Sequence, residues 1–497
     1  MKKDIRNPKM EEKRRPKEEK QREQQKTSKT SKNREYVVIT YLFVALFLAL
    51  ILYFVYFEAI KSETFINSSY NKRQDLFAKT VERGDILDRN GTVLAETKVD
   101  AAGNETRNYP YGRTFSHVVG YATNGKAGLE SYANLKLLRS HIFFTEKLKN
   151  EFQNEKSPGD ALYTTLDATL QQTAFDALGD HEGAVVVLEP ATGKILAMVS
   201  KPDYNPNTIK EDWESITSED NEESVLLNRA TQGLYPPGST FKIFTTLEYI
   251  RENPDYESYT YTCNGKFTKD DTTIHCYNND VHGEEDLRSS FANSCNSSYA
   301  NIGITLDADS FNKTCDSLLF NEKLPYPYIS KQSSFHRKAD ATTSDIIESA
   351  IGQGETLVTP LHMALVTSAI ANDGVLMNPY LIDHISNVNG DLVESYEPSE
   401  YGTLLTEEEA KIMQELMQAV VEEGTGRKLS GQSYTAAGKT GSAEFSDYDD
   451  KSHAWFVGYA HKEGKEDIAL AVVVEEAGSG SAYAVPTAKK IFDVYYR

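Results

Sequence analysis

The sequence predicts an α/β protein. Its main domain draws one sheet from both ends of its chain and packs helices on it, and a small mixed region joins it to a membrane anchor. Three observations predict this. Tyr36 to Phe57 run for 22 residues without a charge, YVVITYLFVALFLALILYFVYF, which as a helix crosses the apolar thickness of a bilayer. Ala184–Leu188 and Lys194–Ser200 read as strands joined by the turn sequence Glu-Pro-Ala-Thr-Gly. Three further strand-like runs, Lys439–Phe445, His453–Ala460 and Ile468–Glu475, come before a closing helix over Val485–Tyr496. Strands at both ends with helices between them imply a single sheet covered by those helices.

Taken in order, residues 1–34 carry 14 Lys/Arg against 6 Asp/Glu and almost no large apolar side chain, so the arm is expected to be disordered. The rest of the chain holds 39 basic against 68 acidic residues. The arm's acids are interspersed and no aromatics stack among its cations, which argues against nucleic acid as a partner. Tyr36, Tyr41, Tyr53 and Tyr56 lie toward the ends of the apolar run, where the membrane interface favours them. The run is too long for a signal peptide and no small-x-small cleavage site follows it. Basic residues before it and Glu58 after it predict a cytoplasmic N-terminus, with the bulk of the protein on the far side of the membrane.

Beyond the span, Arg83-Gly84-Asp85-Ile86-Leu87-Asp88-Arg89-Asn90-Gly91-Thr92-Val93-Leu94-Ala95 places an Asn-Gly pair between apolar runs, a hairpin signal. This region ends in the charged stretch Glu146–Pro158 and reads as a spacer. Leu166–Leu178 suits a helix, and Thr240–Met377 is mostly helical with irregular insertions. The expected divisions are a basic arm at 1–35, a transmembrane helix at 36–57, a pedestal at 58–158 and a catalytic domain at 159–497. There are no tandem repeats.

Three short motifs carry chemistry. Ser239 and Lys242 lie three residues apart in Tyr-Pro-Pro-Gly-Ser-Thr-Phe-Lys. A helix starting at Pro237-Gly238 puts the hydroxyl near its N-terminus and the amine one turn along the same face. Ser294-Cys295-Asn296 and Lys439-Thr440-Gly441 follow in the order that Ser–Lys acyl-transfer enzymes use. Each motif alone is weak: Ser69-Tyr70-Asn71-Lys72 satisfies the first and part of the second, with no site around it. A serine is a poor nucleophile until a base takes its proton, and Lys242 serves only when neutral. Burial and a second cation, Lys439, would lower its pKa. The helix N-terminus favours developing negative charge, and a backbone oxyanion donor there is worth roughly 3–4 kcal/mol of barrier. Ser294 can relay a proton between Lys242 and a leaving amine, and Asn296 can fix a peptide amide. Thr440 and Ser442 share a strand face and, with Lys439, suit a substrate carboxylate. The bland alternatives are a helix-capping Ser294 and an ordinary strand threonine at 440.

The chain resembles the class B penicillin-binding proteins, the monofunctional peptidoglycan D,D-transpeptidases. Beyond the three motifs the likeness rests on the Arg83–Gly91 run, Gly183-Ala184-Val185-Val186 with Thr192-Gly193, and Gly352-Gln353-Gly354 with Thr359-Pro360. Gly424-Thr425-Gly426 and His453-Ala454-Trp455-Phe456-Val457-Gly458 complete it. It implies a penicillin-binding-protein and serine β-lactamase-like fold, with a central antiparallel sheet flanked by helices and a small mixed pedestal. It implies attack by Ser239 on the D-Ala-D-Ala bond of a stem peptide, release of D-Ala, and cross-linking by a neighbouring amine. Oxyanion donors would be the Ser239 and Ser442 N–H groups, with Lys439, Thr440, Gly441, Ser442 and Asn296 lining the substrate site. β-Lactams would acylate Ser239. Family members pair with a membrane-embedded glycan polymerase, and no glycosyltransferase domain is read in this chain. No cofactor is expected.

Ser442 stands where threonine is commoner, and the pedestal of about 100 residues is short for the family. Cys263, Cys276, His282 and Cys295 lie close in sequence. Their spacing matches no compact zinc motif, and a Cys263–Cys276 disulfide, free thiols and a metal site all stay open. Cys315 reads as a core residue. Rival readings are a class D-like β-lactamase, which would be smaller, a membrane β-lactam sensor, which would need more spans, and a catalytically silent scaffold.

Overall fold

The computed structural model describes residues 15–61, 73–218, 221, 223–444 and 451–497. Residues 1–14 of the arm, the second Ser-x-x-Lys at 69–72 and Phe445 lie outside them. The chain divides into two compact units, 1–71 and 72–497.

In the first unit, helix α1 runs over Arg15–Tyr56. Residues 15–35 were expected to be disordered, and the helix corrects this. Their Lys, Glu, Gln and Arg content has strong helix propensity, and extending an existing helix avoids the cost of nucleation. Residues 34–56 are long and apolar enough to cross a membrane, and from Tyr36 their side chains are exposed all round, as a lipid-facing helix requires.

In the second unit a helix over Arg73–Thr80 and a two-residue strand at Val81–Glu82 precede β1 (Ile86–Leu87), β2 (Val93–Val99) and β3 (Glu105–Asn108), followed by β4 (Ala161–Thr164). The Asn90-Gly91 turn joins β1 to β2, with Leu87 opposite Val93. Helix α2 (Ala168–Leu178) starts at Asp167, whose carboxylate accepts from the N–H groups of Thr169 and Leu170. It leads into β5 (Gly183–Glu189) and β6 (Lys194–Lys201). A 3₁₀ turn at Gly238–Phe241 opens α3 (Lys242–Glu252). An insertion of four short strands follows: β7 (Tyr261–Cys263), β8 (Lys266–Lys269), β9 (Thr272–His275) and β10 (Gly283–Glu285). Then come α4 (Leu287–Ala292), α5 (Asn296–Gly303) and α6 (Pro360–Ala371). Strands β11 (Ile382–Ser386) and β12 (Leu392–Ser395) precede α7 (Glu407–Glu422). The chain closes with β13 (Thr435–Glu444), β14 (Ser452–His461), β15 (Ile468–Val474) and α8 (Ala484–Tyr495).

The main sheet is antiparallel throughout, in the order β13–β14–β15–β5–β6. Its first and last strands in sequence meet, as the strand pattern at both ends implied. Every residue of β5 and β15 is buried. Alternation divides them between two layers: Val185 and Val187 join Leu170 of α2 and Phe492 of α8, while Val186 and Leu188 join Leu361 and Leu365 of α6. Helix α6 is buried from Pro360 to Ile370, which accounts for its apolar character on every face.

A second sheet runs β12–β11–β4–β1–β2–β3, antiparallel except between β1 and β4. It joins pedestal strands to a hairpin more than 200 residues later, so the division drawn at 158/159 cuts through a hydrogen-bonded sheet. Strands of two to four residues do not stand alone, and they gain stability only by adding to neighbours. Beside this sheet Arg83 and Arg107 both reach the fully buried Glu130, through Nε at 2.5 and 2.7 Å.

Candidate active site

The nucleophile turn is held from several sides by backbone. Gly238 has φ +52°, and a Cβ there would lie 2.7 Å from the Ser442 carbonyl oxygen. Its N–H donates to the Gly352 carbonyl at 2.9 Å. A Cβ on Gly352, at φ +76°, would lie 2.3 Å from the Gly238 oxygen. The indole N–H of Trp455 donates to the Pro236 carbonyl at 3.1 Å, and the Thr240 hydroxyl to that of Pro237 at 2.7 Å. Ser239 sits half-buried on this turn. The expected α-helix therefore begins at Lys242, one 3₁₀ turn later than the sequence suggested.

Lys242 is fully buried. Its ammonium donates to the Ser294 carbonyl at 2.8 Å, the Ser294 hydroxyl at 3.3 Å and Asn296 Oδ1 at 2.8 Å. These three bonds use its three protons, so in the free protein it does not hydrogen-bond Ser239. Burial lowers the Lys242 pKa to about 8, against an opposing pull from Cys295 and Cys276. Lys439 is also fully buried, and its ammonium donates to the Ser294 hydroxyl at 2.8 Å and the Thr440 carbonyl at 3.1 Å. Its pKa falls well below the ordinary lysine range, through burial first and the charge of Lys242 second. Burial is the first cause for both lysines, and the repulsion between the two ammonium groups is mutual, so each disfavours the charged form of the other.

The Ser294 hydroxyl lies between the two ammonium groups because of its backbone. Ser294 has φ +57°, a left-handed conformation costing about 1 kcal/mol in a non-glycine residue. It forms the corner between α4 and α5, where its N–H donates to the Phe291 carbonyl and that of Cys295 to Ser290. Asn296 opens α5, and its amide is engaged at both ends: Oδ1 accepts from Lys242, and Nδ2 donates to the His275 carbonyl at 3.0 Å. Nδ2 carries a second proton, which a substrate carbonyl can accept while His275 keeps the first.

The hydroxyl of Thr440 on β13 and that of Thr425, in the segment between α7 and β13, hydrogen-bond at 2.6 Å. This gives Gly424-Thr425-Gly426 a place beside Lys439-Thr440-Gly441 that the sequence did not assign. Ser442 is half-buried, and its hydroxyl accepts from the Gly480 N–H at 3.4 Å. A Cβ at Gly441 would lie 3.0 Å from the Pro237 oxygen, so β13 passes directly beside the nucleophile turn. The three motifs, 203 residues apart from Ser239 to Ser442, converge on one site. Trp455 and Gly352 belong to runs already noted in the sequence, and only the fold reveals what they touch. No sequence signal marked the His275 carbonyl.

Residues 183–493 match the penicillin-binding-protein transpeptidase domain, and 83–162 match the penicillin-binding protein A dimerisation domain. The chain belongs to the class B penicillin-binding proteins. The peptidoglycan D,D-transpeptidase PbpA of Mycolicibacterium smegmatis is 30% identical over 449 residues, 84% of this chain and 89% of the relative. PbpA of Mycobacterium tuberculosis is 28% identical over 455 residues, covering 85% and 91%. Among solved structures, the ceftriaxone acyl-enzyme complex of M. tuberculosis penicillin-binding protein A superposes with a TM-score of 0.76 at 26% identity, covering 85% of this chain and 100% of that one. This penicillin-binding protein is a serine-type D,D-transpeptidase of the cell wall, and the fold and pedestal expected from the resemblance are those observed.

Beside the second motif, Cys263, Cys276, His282 and Cys295 cluster as candidate metal ligands. Hydrogen bonds from Cys295, His282 and Ser297 hold the Cys276 thiol well below the ordinary thiol range against burial, and Cys276 raises the His282 imidazole.

Proposed function

We propose that the D,D-transpeptidase reaction of this protein runs through Ser239. The observation that carries this reading is the Ser294 hydroxyl held 3.3 Å from Lys242 Nζ and 2.8 Å from Lys439 Nζ, beside the turn that bears Ser239. Neutral Lys242 takes the Ser239 proton as Oγ bonds to the penultimate D-Ala carbonyl carbon of a stem peptide. The N–H groups of Ser239 and Ser442 hold the oxyanion. The C–N bond to the terminal D-Ala breaks, and its nitrogen collects a proton passed from Lys242 through Ser294. An amine from a neighbouring stem peptide then attacks the acyl carbon, forms the cross-link and returns the proton to Ser239. Lys439, Thr440 and Ser442 bind the terminal carboxylate, with Gly441 allowing the close approach, and Asn296 holds the peptide amide. β-Lactams imitate the D-Ala-D-Ala end and acylate Ser239.

The topology supported by charge is a cytoplasmic N-terminus with the catalytic unit outside. Glycan polymerisation is assigned to a separate membrane-embedded polymerase, since the matched regions are dimerisation and transpeptidase domains. The test is intact mass of the full chain in detergent after incubation with a penicillin, beside Ser239→Ala. One drug mass on the wild type and none on the variant is the expected result. Unmodified wild type with intact drug supports a silent scaffold, and rapid drug turnover supports a β-lactamase.

A further inference from the structure

We infer that the pedestal helix Phe144–Gln153 lies in the interface of a lipid bilayer, with Phe144, Leu148 and Phe152 among the acyl chains. It thereby gives the pedestal an attachment to the membrane besides its covalent leash. The sequence Phe-Thr-Glu-Lys-Leu-Lys-Asn-Glu-Phe-Gln repeats its large apolar residues at every fourth position, so all three stand on one face. Among the described residues nothing covers that face. Phe144 is 76% exposed, Phe152 82% and Phe143, at the N-cap, 67%, with Leu148 exposed beside them. None of the ten residues is buried, and the one half-buried residue, Asn150, stands on the opposite side. The helix thus turns its polar side to the protein and its apolar side outward. By contrast α7, likewise amphipathic, turns Met413, Leu416, Met417 and Val420 inward. Single exposed apolar side chains are ordinary on a surface, whereas a contiguous apolar stripe marks a face that something covers. Nor is the helix built to stand alone. Ten residues fall short of the ~12–15 at which an isolated helix becomes even marginal in water. Its N-cap makes no side-chain hydrogen bond.

Lipid is the occupant because of where the helix is rooted. Just past its end, Ser157–Pro158 pairs in parallel with Val81–Glu82, which follows directly on the helix Arg73–Thr80. That first helix exposes Leu76 and Phe77 as well. In the second unit, every described phenylalanine that is exposed belongs to one of these two segments. Only residues 57–72 separate their shared root from the helix that is long and apolar enough to cross a membrane. A leash of that length reaches about 55 Å at full extension. A face on so short a leash meets the bilayer at an effective concentration that no untethered partner or second copy enjoys. A stripe too small to hold a membrane by itself is then sufficient. The charges of the helix balance, Glu146 and Glu151 against Lys147 and Lys149. The apolar face is therefore the source of affinity, and the two lysines extend their heads toward the phosphate layer. The inference rests on the reading of residues 34–56 as a membrane span, with the pedestal outside it.

The test places the full chain in nanodiscs of phosphatidylethanolamine and phosphatidylglycerol, one chain per disc. An environment-sensitive dye is attached to one introduced cysteine at a time, the four native cysteines being buried. The positions are Phe152→Cys on the apolar face, Glu146→Cys on the polar side, Ile329→Cys as an exposed apolar site elsewhere, and Leu46→Cys within the span. The dye at 152 should shift to the blue and be quenched by spin-labelled lipid severalfold more than the dyes at 146 and 329. Phe144→Glu combined with Leu148→Glu should abolish that quenching, with penicillin acylation reporting that the protein is folded. Should the double variant fail to fold, the comparison of 152 with 146 decides alone. Equal quenching at 152 and 146 overturns the inference. Quenching at 46 tests the span itself, so quenching at 46 with none at 152 overturns the docking and leaves the anchor standing. A blue shift at 152 without lipid quenching also overturns it. If that shift needs two chains per disc, the face covers a second copy; if one chain suffices, the chain itself covers the face.

Discussion

The two walls of the active site are built by different means. On one wall, the nucleophile turn and β13 meet through backbone against backbone, with Gly238, Gly352 and Gly441 at the closest approaches. Behind them stands a sheet whose central strands are wholly buried. On the other wall, Ser294 and Asn296 are held by side-chain hydrogen bonds, a left-handed corner and the thiol–imidazole cluster. Backbone contact in a close-packed core has no slack, since every shift is passed on. Side-chain contacts can exchange partners, as the Lys242 amine must when it turns from Ser294 and Asn296 toward Ser239. The rigid wall thus carries Ser239, with Lys242 directly after it on α3, and the exchangeable wall carries the Ser294 hydroxyl between the two lysines.

The largest expected effect comes from forcing slack into the rigid wall. Gly352→Ala puts a methyl group 2.3 Å from the Gly238 oxygen, in a backbone conformation with φ +76° that alanine disfavours. A displacement of this kind near a reacting group costs about 100-fold in rate. Stopped-flow acylation by a fluorescent penicillin should register that loss. Wild-type rates in a folded Gly352→Ala protein would mean that the turn is held by something else.

A change of pH acts through the two buried lysines, Lys242 at the start of α3 and Lys439 on β13. Lys242 has its pKa lowered by burial to about 8, so its neutral fraction, and with it the acylation rate, rises about tenfold per unit below pH 8 and levels off above. For stability the same shift acts between about 8 and the ordinary value of 10.5. In that window the unfolded chain binds more protons than the native one, so this group's contribution rises with pH. Rates independent of pH between 6 and 8 would remove Lys242 as the base.

Hydrogen exchange separates the walls more gently. The amides of Lys266–His275 should exchange severalfold faster than those of Ile468–Val474, because stability is local where few apolar contacts support the backbone. Equal protection of both segments would make the insertion part of the main cooperative unit.

These differences also decide what was legible in the sequence. Ala184–Leu188 and Ile468–Glu475 were readable because strands buried on both faces are continuously apolar, and the observed ends shift by a residue at most. The motif residues announced themselves through type and spacing. What stayed hidden was set by long-range neighbours. Strands β11 and β12 join the pedestal sheet from over 200 residues away, and nothing in Ile382–Ser395 says so. The cluster ligands are separated by 13, 6 and 13 residues, so folding rather than a compact motif brings them together. Ser294 carries none of the Gly or Asn signal that usually marks a left-handed corner. The Ser294 hydroxyl lies beside Lys242 as its relay role requires, and that corner also brings the Ser294 carbonyl to the ammonium, a contact no residue type announced.

That corner also yields the smallest effect, visible only as a difference between two variants. Ser294→Ala and Ser294→Gly both remove the hydroxyl that accepts from Lys439 and Lys242. Each should lose stability by about 1.5–3 kcal/mol, the usual consequence of depriving a buried charged donor of its acceptor. They differ only in backbone, where φ +57° suits glycine and strains alanine by about 1 kcal/mol. Glycine at 294 should therefore be more stable than alanine by that amount in denaturant titrations, with both variants equally slow in acylation. If alanine matches glycine, the corner has relaxed without its hydroxyl, and the lysine pair rather than the backbone holds Ser294 in place.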